Sequence, residues 1–319
     1  RETFLLTTLS WISLSLFSAL PLYYSDLDLS YTDAAFEAVS GITTTGSTVL
    51  SGLDQMSRGI LLWRSLMQWI GGIGIIAFAI VILPFLRIGG MQLFKTESSD
   101  RSDKAMPKTM DLISSLLFIY CVITVLCTLT YSVLGMDVFN AINHALTTIS
   151  TGGYSTHDAS FGFYDSAFIQ YAGAFFMLLG SVPFILFVKW VFQGKFRFFD
   201  DEQCRVYLYL LAVLIMFLSA WLWLNSNYSL GESLLHSTFN IISVITTTGY
   251  ATDDYTAWGG FAVIFFLFIT YLGACSGSTS GGIKVMRLIV VTKLLHLQIR
   301  RLIFPNGAFA VRYQKRVIN

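Results

Sequence analysis

Charged residues are scarce in this chain of 319 residues, where Asp, Glu, Lys and Arg together make up 12%. Soluble domains carry about 25% charged residues, so the chain has about half the supply that a water-exposed surface needs. Hydrophobic residues make up 55%. These proportions exclude an ordinary soluble domain and predict an all-α polytopic membrane protein. The formal net charge of +1 by itself indicates no partner, and we expect no nucleic-acid partner.

Cysteine and histidine are also rare, with four of each. The cysteines form no CxxC pair and no cluster with histidine, which excludes a disulfide framework and a zinc site. An intramembrane protease of the rhomboid type is a rival hypothesis, but "GSTSGG" lacks the G-x-S-G spacing and the histidines do not lie on spanning segments. We therefore predict that the protein is not an enzyme and binds no organic cofactor.

Long apolar segments are plentiful. A membrane-spanning helix needs about 20 predominantly apolar residues, and six segments qualify: Phe4–Tyr23, Ile60–Leu86, Leu112–Leu134, Ala167–Phe192, Val206–Leu224 and a broken one from Gly259 to Leu295. Within each successive pair lies a shorter, half-polar segment, "DAAFEAVSGI", "DVFNAINHALTTI" or "ESLLHSTFNIISVI". These segments are too short to cross, so we predict re-entrant helices.

The distribution of basic residues predicts the orientation. Lys and Arg concentrate after the second and fourth spans and in the tail, whereas the loops around the short helices hold only Arg58 beside several Asp residues. Because cytoplasmic loops carry the excess of Lys and Arg, we expect the short helices on the outer side and both chain ends in the cytoplasm. Arg64 and Lys189 lie near predicted span ends, where we expect their long side chains to snorkel to the interface.

A short polar stretch follows each re-entrant helix, with Thr-Gly steps at Gly46, Gly152 and Gly249. A shift of 203 positions lays Phe36–Ser47 on Phe239–Tyr250, and a shift of 106 lays Gly46 on Gly152. Non-helical backbone at membrane depth is tolerated only where it is buried in protein or lines a water-filled path. Three copies therefore predict carbonyl oxygens that surround one axis and bind a monovalent cation. The alternative is that small residues merely help helices to pack.

The motifs "GITTTGST", "STGGYSTHDAS", "ITTTGYATDD", "WIGGIG" and "GACSGSTSGGIKVMR" resemble the Trk/Ktr/HKT superfamily of potassium transporters. The resemblance covers essentially the whole chain and is closest to the bacterial TrkH/TrkG branch. It implies repeats of span, pore helix with filter loop, and span around a pseudo-fourfold pore. It also implies a homodimer in the bacterial inner membrane that docks on a cytoplasmic, TrkA-like ring binding NAD or ATP.

The resemblance further implies which residues bind potassium. The filter strands would be Thr43–Ser47, Ser150–Gly153 and Thr246–Tyr250, and the ion-binding residues Thr44, Thr45, Gly46, Ser150, Thr151, Gly152, Thr247, Thr248 and Gly249. In plant relatives a Ser in place of the first glycine accompanies sodium transport, so Gly46 favours potassium. The family's fourth repeat and its two extra N-terminal spans are missing, and we interpret the chain as part of a longer transporter.

The expected organisation follows from these repeats. It comprises repeat 1 over 1–90, a cytoplasmic linker over 91–109, repeat 2 over 110–195, repeat 3 over 196–295 and a basic tail over 296–319. A scaffold subunit that does not conduct is a further alternative for a chain with only three repeats. An ion-coupled, alternating-access carrier is another, because such carriers have discontinuous spans. The shared orientation of all three repeats favours a pore.

The sixth span is interrupted by "GACSGSTSGGIK" over 273–284, which is too rich in Gly for a stable helix. The resemblance implies that residues 273–283 form a gate below the filter. We expect the gate to involve Gly273, Gly277, Ser278, Ser280, Gly281, Gly282, Lys284 and Arg287. A charge within a span is a functional candidate, although Lys284 and Arg287 also fit the alternative of snorkelling to the cytoplasmic interface.

Overall fold

The computed structural model describes residues 2–77, 109–304, 307, 309–313 and 316–318. Apart from two short 3-10 turns and one small hairpin, the regular structure in these ranges is α-helical. The helices are α1 Glu2–Ser18, α2 Leu20–Tyr23, α3 Tyr31–Ile42, α4 Arg58–Ala77, α5 Thr109–Val133, α6 Val138–Ile149, α7 Ala167–Ser181, α8 Phe184–Gln193, α9 Glu202–Asn225, α10 Leu230–Ile245, α11 Gly260–Thr270 and α12 Val285–Ile303.

In the first two repeats the described helices follow the order long, short, long, and the second repeat closes with the bent pair α7–α8. In the third repeat α9 and α10 are followed by α11 and α12 with a loop between them. Four candidate spans are long and apolar enough to cross a membrane: the pair α1–α2, then α4, α5 and α9. The bent pair α7–α8 is a fifth candidate. The short helices α3, α6 and α10 have 12, 12 and 16 residues. Each packs against the long helices next to it in the sequence. The predicted all-α, polytopic class is confirmed.

Each short helix begins at a polar residue that caps its free backbone N–H groups. The side chain of Ser30 accepts a hydrogen bond from the backbone of Asp33, and Asp137 accepts one from Phe139. Ser229 forms a reciprocal capping box with Glu232 at the start of α10. Caps of this kind satisfy donors that a helix cannot satisfy internally. The start of each re-entrant helix is thus fixed by its own sequence.

Two of the six predicted spans differ from continuous helices. The fourth, expected over Ala167–Phe192, breaks at Val182 and Pro183, and its two halves are bent by 88°. Proline lacks a backbone N–H and clashes with the preceding turn, which accounts for the break. The sixth, expected to be broken, is helical over Gly260–Thr270 and again from Val285. The end of the second span, 78–86, and the linker up to residue 108 lie outside the described residues.

The region predicted as a basic tail over 296–319 begins within a helix. Helix α12 continues to Ile303, so the first part of the predicted tail is helical. Strands β1 Val311–Tyr313 and β2 Arg316–Ile318 then pair antiparallel, with Val311 opposite Ile318.

The core surrounds the short helices. The largest buried cluster includes Ile149, Phe161, Phe239 and Tyr250, which are each at most 2% exposed. A second cluster packs α3 onto α1, α2 and α4. The polar stretches that follow α6 and α10 are mostly buried, whereas Thr43, Thr45 and Ser47 after α3 are exposed.

Candidate functional site

The three stretches that follow α3, α6 and α10 share one backbone conformation. Each contains a threonine and, two residues later, a glycine with positive φ. The threonines are Thr44, Thr151 and Thr247 at 56°, 52° and 58°, and the glycines are Gly46, Gly153 and Gly249 at 81°, 80° and 83°. The same alternation at three separate places indicates that the stretches are structural copies. We call them filter strands 1, 2 and 3.

Matching hydrogen bonds connect each filter strand to its helix. The backbone N–H groups of Thr45, Gly152 and Thr248 donate to the carbonyl oxygens of Ser40, Thr147 and Ser243, each at 2.9 Å. In strands 1 and 3 the hydroxyls of Ser40 and Ser243 also donate to a carbonyl seven residues later, at 2.6 and 2.7 Å. The end of each short helix therefore shapes the strand that follows it.

This geometry corrects the alignment of strand 2. The predicted shift of 106 positions placed Gly152 under Gly46, but the left-handed glycine of strand 2 is Gly153. Gly152 instead occupies the position of Thr45 and Thr248. The sequence permits both alignments because two glycines are adjacent. Gly152 has its own reason to be glycine, because a Cβ there would lie 2.3 Å from the side-chain amide carbon of Gln68.

The strands contact one another in a fixed order. A Cβ at Gly46 would lie 2.2 Å from the carbonyl oxygen of Gly152, and one at Gly153 would lie 1.7 Å from that of Thr248. Among the described residues, no atom lies within 4 Å of the corresponding position at Gly249. Strand 1 therefore contacts strand 2, and strand 2 contacts strand 3. The side of strand 3 on which a Cβ at Gly249 would lie is open.

The left-handed threonines are unusual, because β-branched residues seldom adopt positive φ. Such a conformation costs roughly 1–3 kcal/mol and persists only where the surroundings enforce it, which is typical of functional sites. Here the preceding helix ends enforce it three times. Next to these residues, the hydroxyls of Thr43 and Thr45 lie 2.8 Å apart, and those of Thr246 and Thr248 lie 2.7 Å apart. Hydroxyl and carbonyl oxygens therefore crowd the site.

A charged pair behind the strands was not predicted. Arg64 is 1% exposed and its Nε donates to Glu37 Oε1 at 2.7 Å, where Glu37 is 0% exposed. The expectation that Arg64 snorkels to an interface is therefore wrong. Its position within an otherwise apolar span was the available signal, because charges there usually have a partner or a function. Lys189 is half-buried.

Gln68 is a second residue that sequence reasoning missed. Its Nε2 donates to the carbonyl oxygen of Gly152 at 2.7 Å, and its Oε1 accepts from the backbone N–H of Tyr154 at 3.0 Å. Helix α4 of the first repeat therefore clamps strand 2 of the next. A carbonyl oxygen has two lone pairs, so Gly152 retains acceptor capacity.

The glycine- and serine-rich loop of the sixth span contacts filter strand 3 and the end of α6. The backbone N–H of Gly281 donates to the hydroxyl of Thr247 at 2.7 Å. The hydroxyl of Thr279 donates to the carbonyl of Ile149, the last residue of α6, at 3.2 Å. The Nζ of Lys284 hydrogen-bonds to the carbonyl oxygen of Ser280. Most of the predicted gate residues therefore lie in a loop that contacts filter strand 3 and α6.

The loop is also anchored on its outer flank. The break between α7 and α8 exposes backbone groups that pair with it: Cys275 N–H donates to Ser181 O, Thr279 N–H to Gly180 O and Phe184 N–H to Gly277 O, at 3.3, 3.2 and 3.0 Å. At its ends, Leu272 and Ile283 form a bridge. Ser278 and Ser280 are buried, Gly281, Gly282 and Arg287 are exposed, and Gly273 packs on Gly282.

The chemistry of the site suits a monovalent cation. Within the parts of the chain that the structure describes, no group of three or more His, Cys, Asp or Glu side chains is placed to hold a metal ion. The oxygen atoms concentrated at the strands belong instead to carbonyls and threonine hydroxyls. Neutral oxygen donors of this type replace the hydration shell of alkali cations in selective pores.

Comparison with known proteins agrees with the fold. The family TrkH, described as a cation transport protein, matches residues 1–319. The chain is 46% identical over 316 residues to the Trk system potassium uptake protein TrkI of Halomonas elongata, covering 99% of this chain and 64% of that protein. It is 36% identical over 323 residues to TrkH of Escherichia coli, covering 100% and 67%.

A solved structure is similar throughout. The crystal structure of the potassium transporter TrkH from Vibrio parahaemolyticus matches with a TM-score of 0.89 and 33% identity, over 98% of this chain and 65% of that one. The chain thus spans about two thirds of the length of the relatives it matches. The chain belongs to the TrkH family of cation transport proteins.

Proposed function

We propose that the chain builds three of four sides of a potassium-selective pore for uptake across the bacterial cytoplasmic membrane. The observation that carries this proposal is the set of three filter strands with the same left-handed Thr and Gly positions, adjacent in one order. Filter residues Thr44, Thr45, Gly46, Ser150, Thr151, Gly152, Gly153, Thr247, Thr248 and Gly249 would contact the ion, with a fourth strand outside this chain completing the ring.

Potassium is the substrate that the comparisons favour. The relatives in Halomonas elongata and Escherichia coli are named potassium uptake proteins. All three left-handed positions two residues after the threonines are glycine, including Gly46. The C-terminal ends of the short helices carry partial negative charge and lead directly into the strands, which favours a cation over an anion.

The orientation follows from the basic residues. One span separates the filter loops in the sequence from Lys195, Arg197 and the basic end of α12, which would therefore lie on the opposite side of the membrane. The excess of Lys and Arg belongs in the cytoplasm. The filter loops would then face the periplasm. The partners we propose are a second copy of the transporter and a cytoplasmic, TrkA-like ring that binds NAD or ATP.

The loop over 273–283 is proposed as the gate. It contacts Thr247 and the carbonyl of Ile149 next to the strands. Its Gly and Ser residues have no large side chains that would hinder a rearrangement of the loop. Lys284 would stabilise the closed loop through the Ser280 carbonyl. Arg287 is exposed beyond it.

Potassium flux in proteoliposomes tests the function. The full-length protein should carry rubidium or potassium ions down their gradient, with flux that depends linearly on driving force and with single-channel conductance. Saturating flux with tight coupling to protons would instead support the alternating-access carrier. Lack of any alkali-cation flux would contradict both and favour a scaffold subunit.

Deletion of Gly277–Gly282 in the full-length protein tests the gate. We expect potassium flux to rise and to depend less on the regulatory ring. Flux that is unchanged in both respects would remove the gate hypothesis.

A further inference from the structure

The three short helices each place a polar side chain at the same position, three residues before the Ser or Thr whose carbonyl binds the filter strand. These side chains are Glu37, His144 and Asn240, which are 0%, 0% and 1% exposed. A common position with three different chemical groups distinguishes the repeats. We call them the brace residues.

Each brace residue reaches a hydroxyl just beyond its own filter strand. Glu37 accepts from Thr48 Oγ1 at 3.0 Å, and His144 Nε2 lies 3.0 Å from Ser155 Oγ. Asn240 Nδ2 donates to Thr252 Oγ1, also at 3.0 Å. The outer end of every filter strand is thus tied to the short helix behind it.

The brace in repeat 1 is the strongest. The carboxylate of Glu37 accepts from the backbone N–H of Val49 at 3.1 Å as well as from Thr48. Arg64 Nε donates to the same carboxylate, and Arg64 Nη2 donates to Thr48 Oγ1 at 3.1 Å. Hydrogen bonds between charged groups are shorter and about twice as strong as neutral ones. Filter strand 1 is therefore held by a closed, charged network.

Arg64 also extends this network to the neighbouring strand. Its Nη1 donates to the carbonyl oxygen of Ser155 at 3.4 Å, and its guanidinium lies 4.1 Å from the ring centre of Tyr154. The hydroxyl of Tyr154 in turn donates to the backbone carbonyl of Glu37 at 3.0 Å. One ion pair therefore sets the separation of the outer ends of strands 1 and 2.

The next pair of strands repeats the tyrosine link without the ion pair. Tyr250, the counterpart of Tyr154, donates to the carbonyl of His144 at 3.2 Å. The link between strands 2 and 3 thus contains an imidazole where the link between strands 1 and 2 contains a carboxylate and a guanidinium.

We propose that Glu37 and Arg64 are positioning residues that determine the preference for potassium over sodium by fixing the spacing of filter strands 1 and 2. The proposal rests on the function proposed above. On a size-based account of selectivity, the carbonyl oxygens keep the separation that suits one ion. The charged members of this network, Glu37 and Arg64, are buried and hydrogen-bonded, and a satisfied network of this kind holds one geometry.

The test uses a paired substitution in the full-length protein, Glu37→Gln with Arg64→Met. Removing only one partner leaves an unpaired buried charge, which is strongly destabilising, whereas the double variant leaves none. In proteoliposomes, we expect potassium uptake to persist while the ratio of potassium to sodium uptake falls about tenfold, equivalent to ~1.4 kcal/mol. Asp165→Asn removes an exposed carboxylate on the same side and should leave the ratio unchanged.

A second variant covers failure of the first to fold. Arg64→Lys keeps the charge next to Glu37 but lacks the planar fork that also reaches Thr48 and Ser155. We expect a smaller decrease in the ratio. A wild-type ratio in whichever of the two variants folds would overturn the proposal. Absence of potassium uptake by the wild-type protein would instead contradict the proposed function, so the two failures are distinguishable.

Discussion

At the scale of residues, glycine is required in the filter strands for two separate reasons. Gly46 and Gly153 have positive φ, and the space that a Cβ would occupy is already taken by a neighbouring carbonyl oxygen. The second reason is the more severe, since a backbone carbonyl cannot move aside as a flexible side chain can. Each of these glycines therefore reports both a local torsion and the distance between two strands.

Substitution of Gly153 tests this requirement. Gly153→Ala should abolish selective potassium uptake, because the left-handed torsion costs roughly 1–2 kcal/mol and the new methyl group would lie 1.7 Å from the carbonyl oxygen of Thr248. Uptake and the potassium-to-sodium ratio in proteoliposomes provide the measurement. Gly59→Ala is the matched control, because nothing lies within 4 Å of that position. Equal uptake by both variants would contradict the close contact between Gly153 and the carbonyl oxygen of Thr248.

A carboxylate in the loop between α10 and α11 gives a prediction on pH. Partial burial raises the pKa of Asp253, but hydrogen bonds from the Tyr228 hydroxyl and the Trp258 indole outweigh it, and the net pKa lies below the ordinary value. Those bonds measure 2.5 and 3.0 Å. A lowered folded-state pKa stabilises the protein above the unfolded pKa of about 3.9, and this contribution is lost as the pH falls through the folded value.

We therefore expect the thermal midpoint of the wild-type protein to decrease more between pH 5 and pH 3, chosen to bracket that pKa of about 3.9, than the midpoint of Asp253→Asn. Scanning calorimetry or a fluorescence melt in detergent measures both. Identical pH dependence in the two proteins would show that the ionised form of Asp253 is not preferentially stabilised by folding.

The three polar stretches could be located from the sequence alone. The Thr-Gly steps were visible because an unwound polar stretch is conspicuous in an apolar sequence. Arg64 was misjudged because its partner Glu37 lies 27 residues earlier on another helix. The choice between Gly152 and Gly153 likewise depends on contacts with Gln68 and Thr248, which a single sequence does not reveal.

At the scale of elements, the short helices depend on their caps. A helix of 12 to 16 residues is marginal by itself, and its end must be positioned accurately because the filter strand follows without a linker. The capping box of Ser229 and Glu232 is the most complete of the three caps. A capping box of this kind marks the start of a helix in the sequence.

Loss of this cap should be measurable. We expect Ser229→Ala to reduce the stability of the protein by about 1 kcal/mol, because the backbone N–H of Glu232 loses its acceptor. A thermal melt in detergent compares this variant with Ser114→Ala, which changes an exposed position within α5. A midpoint for Ser229→Ala no lower than that of the control would contradict the role of the cap.

Other element boundaries were less predictable. The apolar pattern of Ala167–Phe192 is continuous, so periodicity alone indicated one span, although Pro183 was a recognisable breaker. The 88° bend makes sense only with the third repeat in place, because the freed backbone at Gly180, Ser181 and Phe184 binds the glycine- and serine-rich loop. Tertiary hydrogen bonds, rather than local preference, fix this feature.

At the scale of the whole molecule, the open side of filter strand 3 is the main asymmetry. Gly249 is exposed, and so are Thr43 and Thr45 of strand 1, whereas Thr246 and Thr248 are buried. The repeat pattern predicted the class of fold and the order of the repeats. The sense in which the strands contact one another could not be read from it, because that depends on how the three units are arranged in space.

The open side predicts a difference between the chain and the full-length protein. We expect the 319-residue chain alone to show no selective potassium flux in proteoliposomes, whereas the full-length protein conducts. In the full-length protein, Gly249→Ala should be as harmful as Gly153→Ala, because a fourth strand would then place a carbonyl oxygen against Gly249. Selective flux through the isolated chain would contradict this account.

The order of strand contacts means that a substitution at one filter glycine should disturb mainly the neighbouring strand. A bulkier residue at Gly46 presses on strand 2, and one at Gly153 presses on strand 3. Because the coupling between two sites is the same whichever is substituted first, pairs in neighbouring strands, such as Gly46 with Gly153, should couple more strongly than Gly46 with Gly249. The filter then responds as a row of strands in which each one affects mainly the strand that it touches.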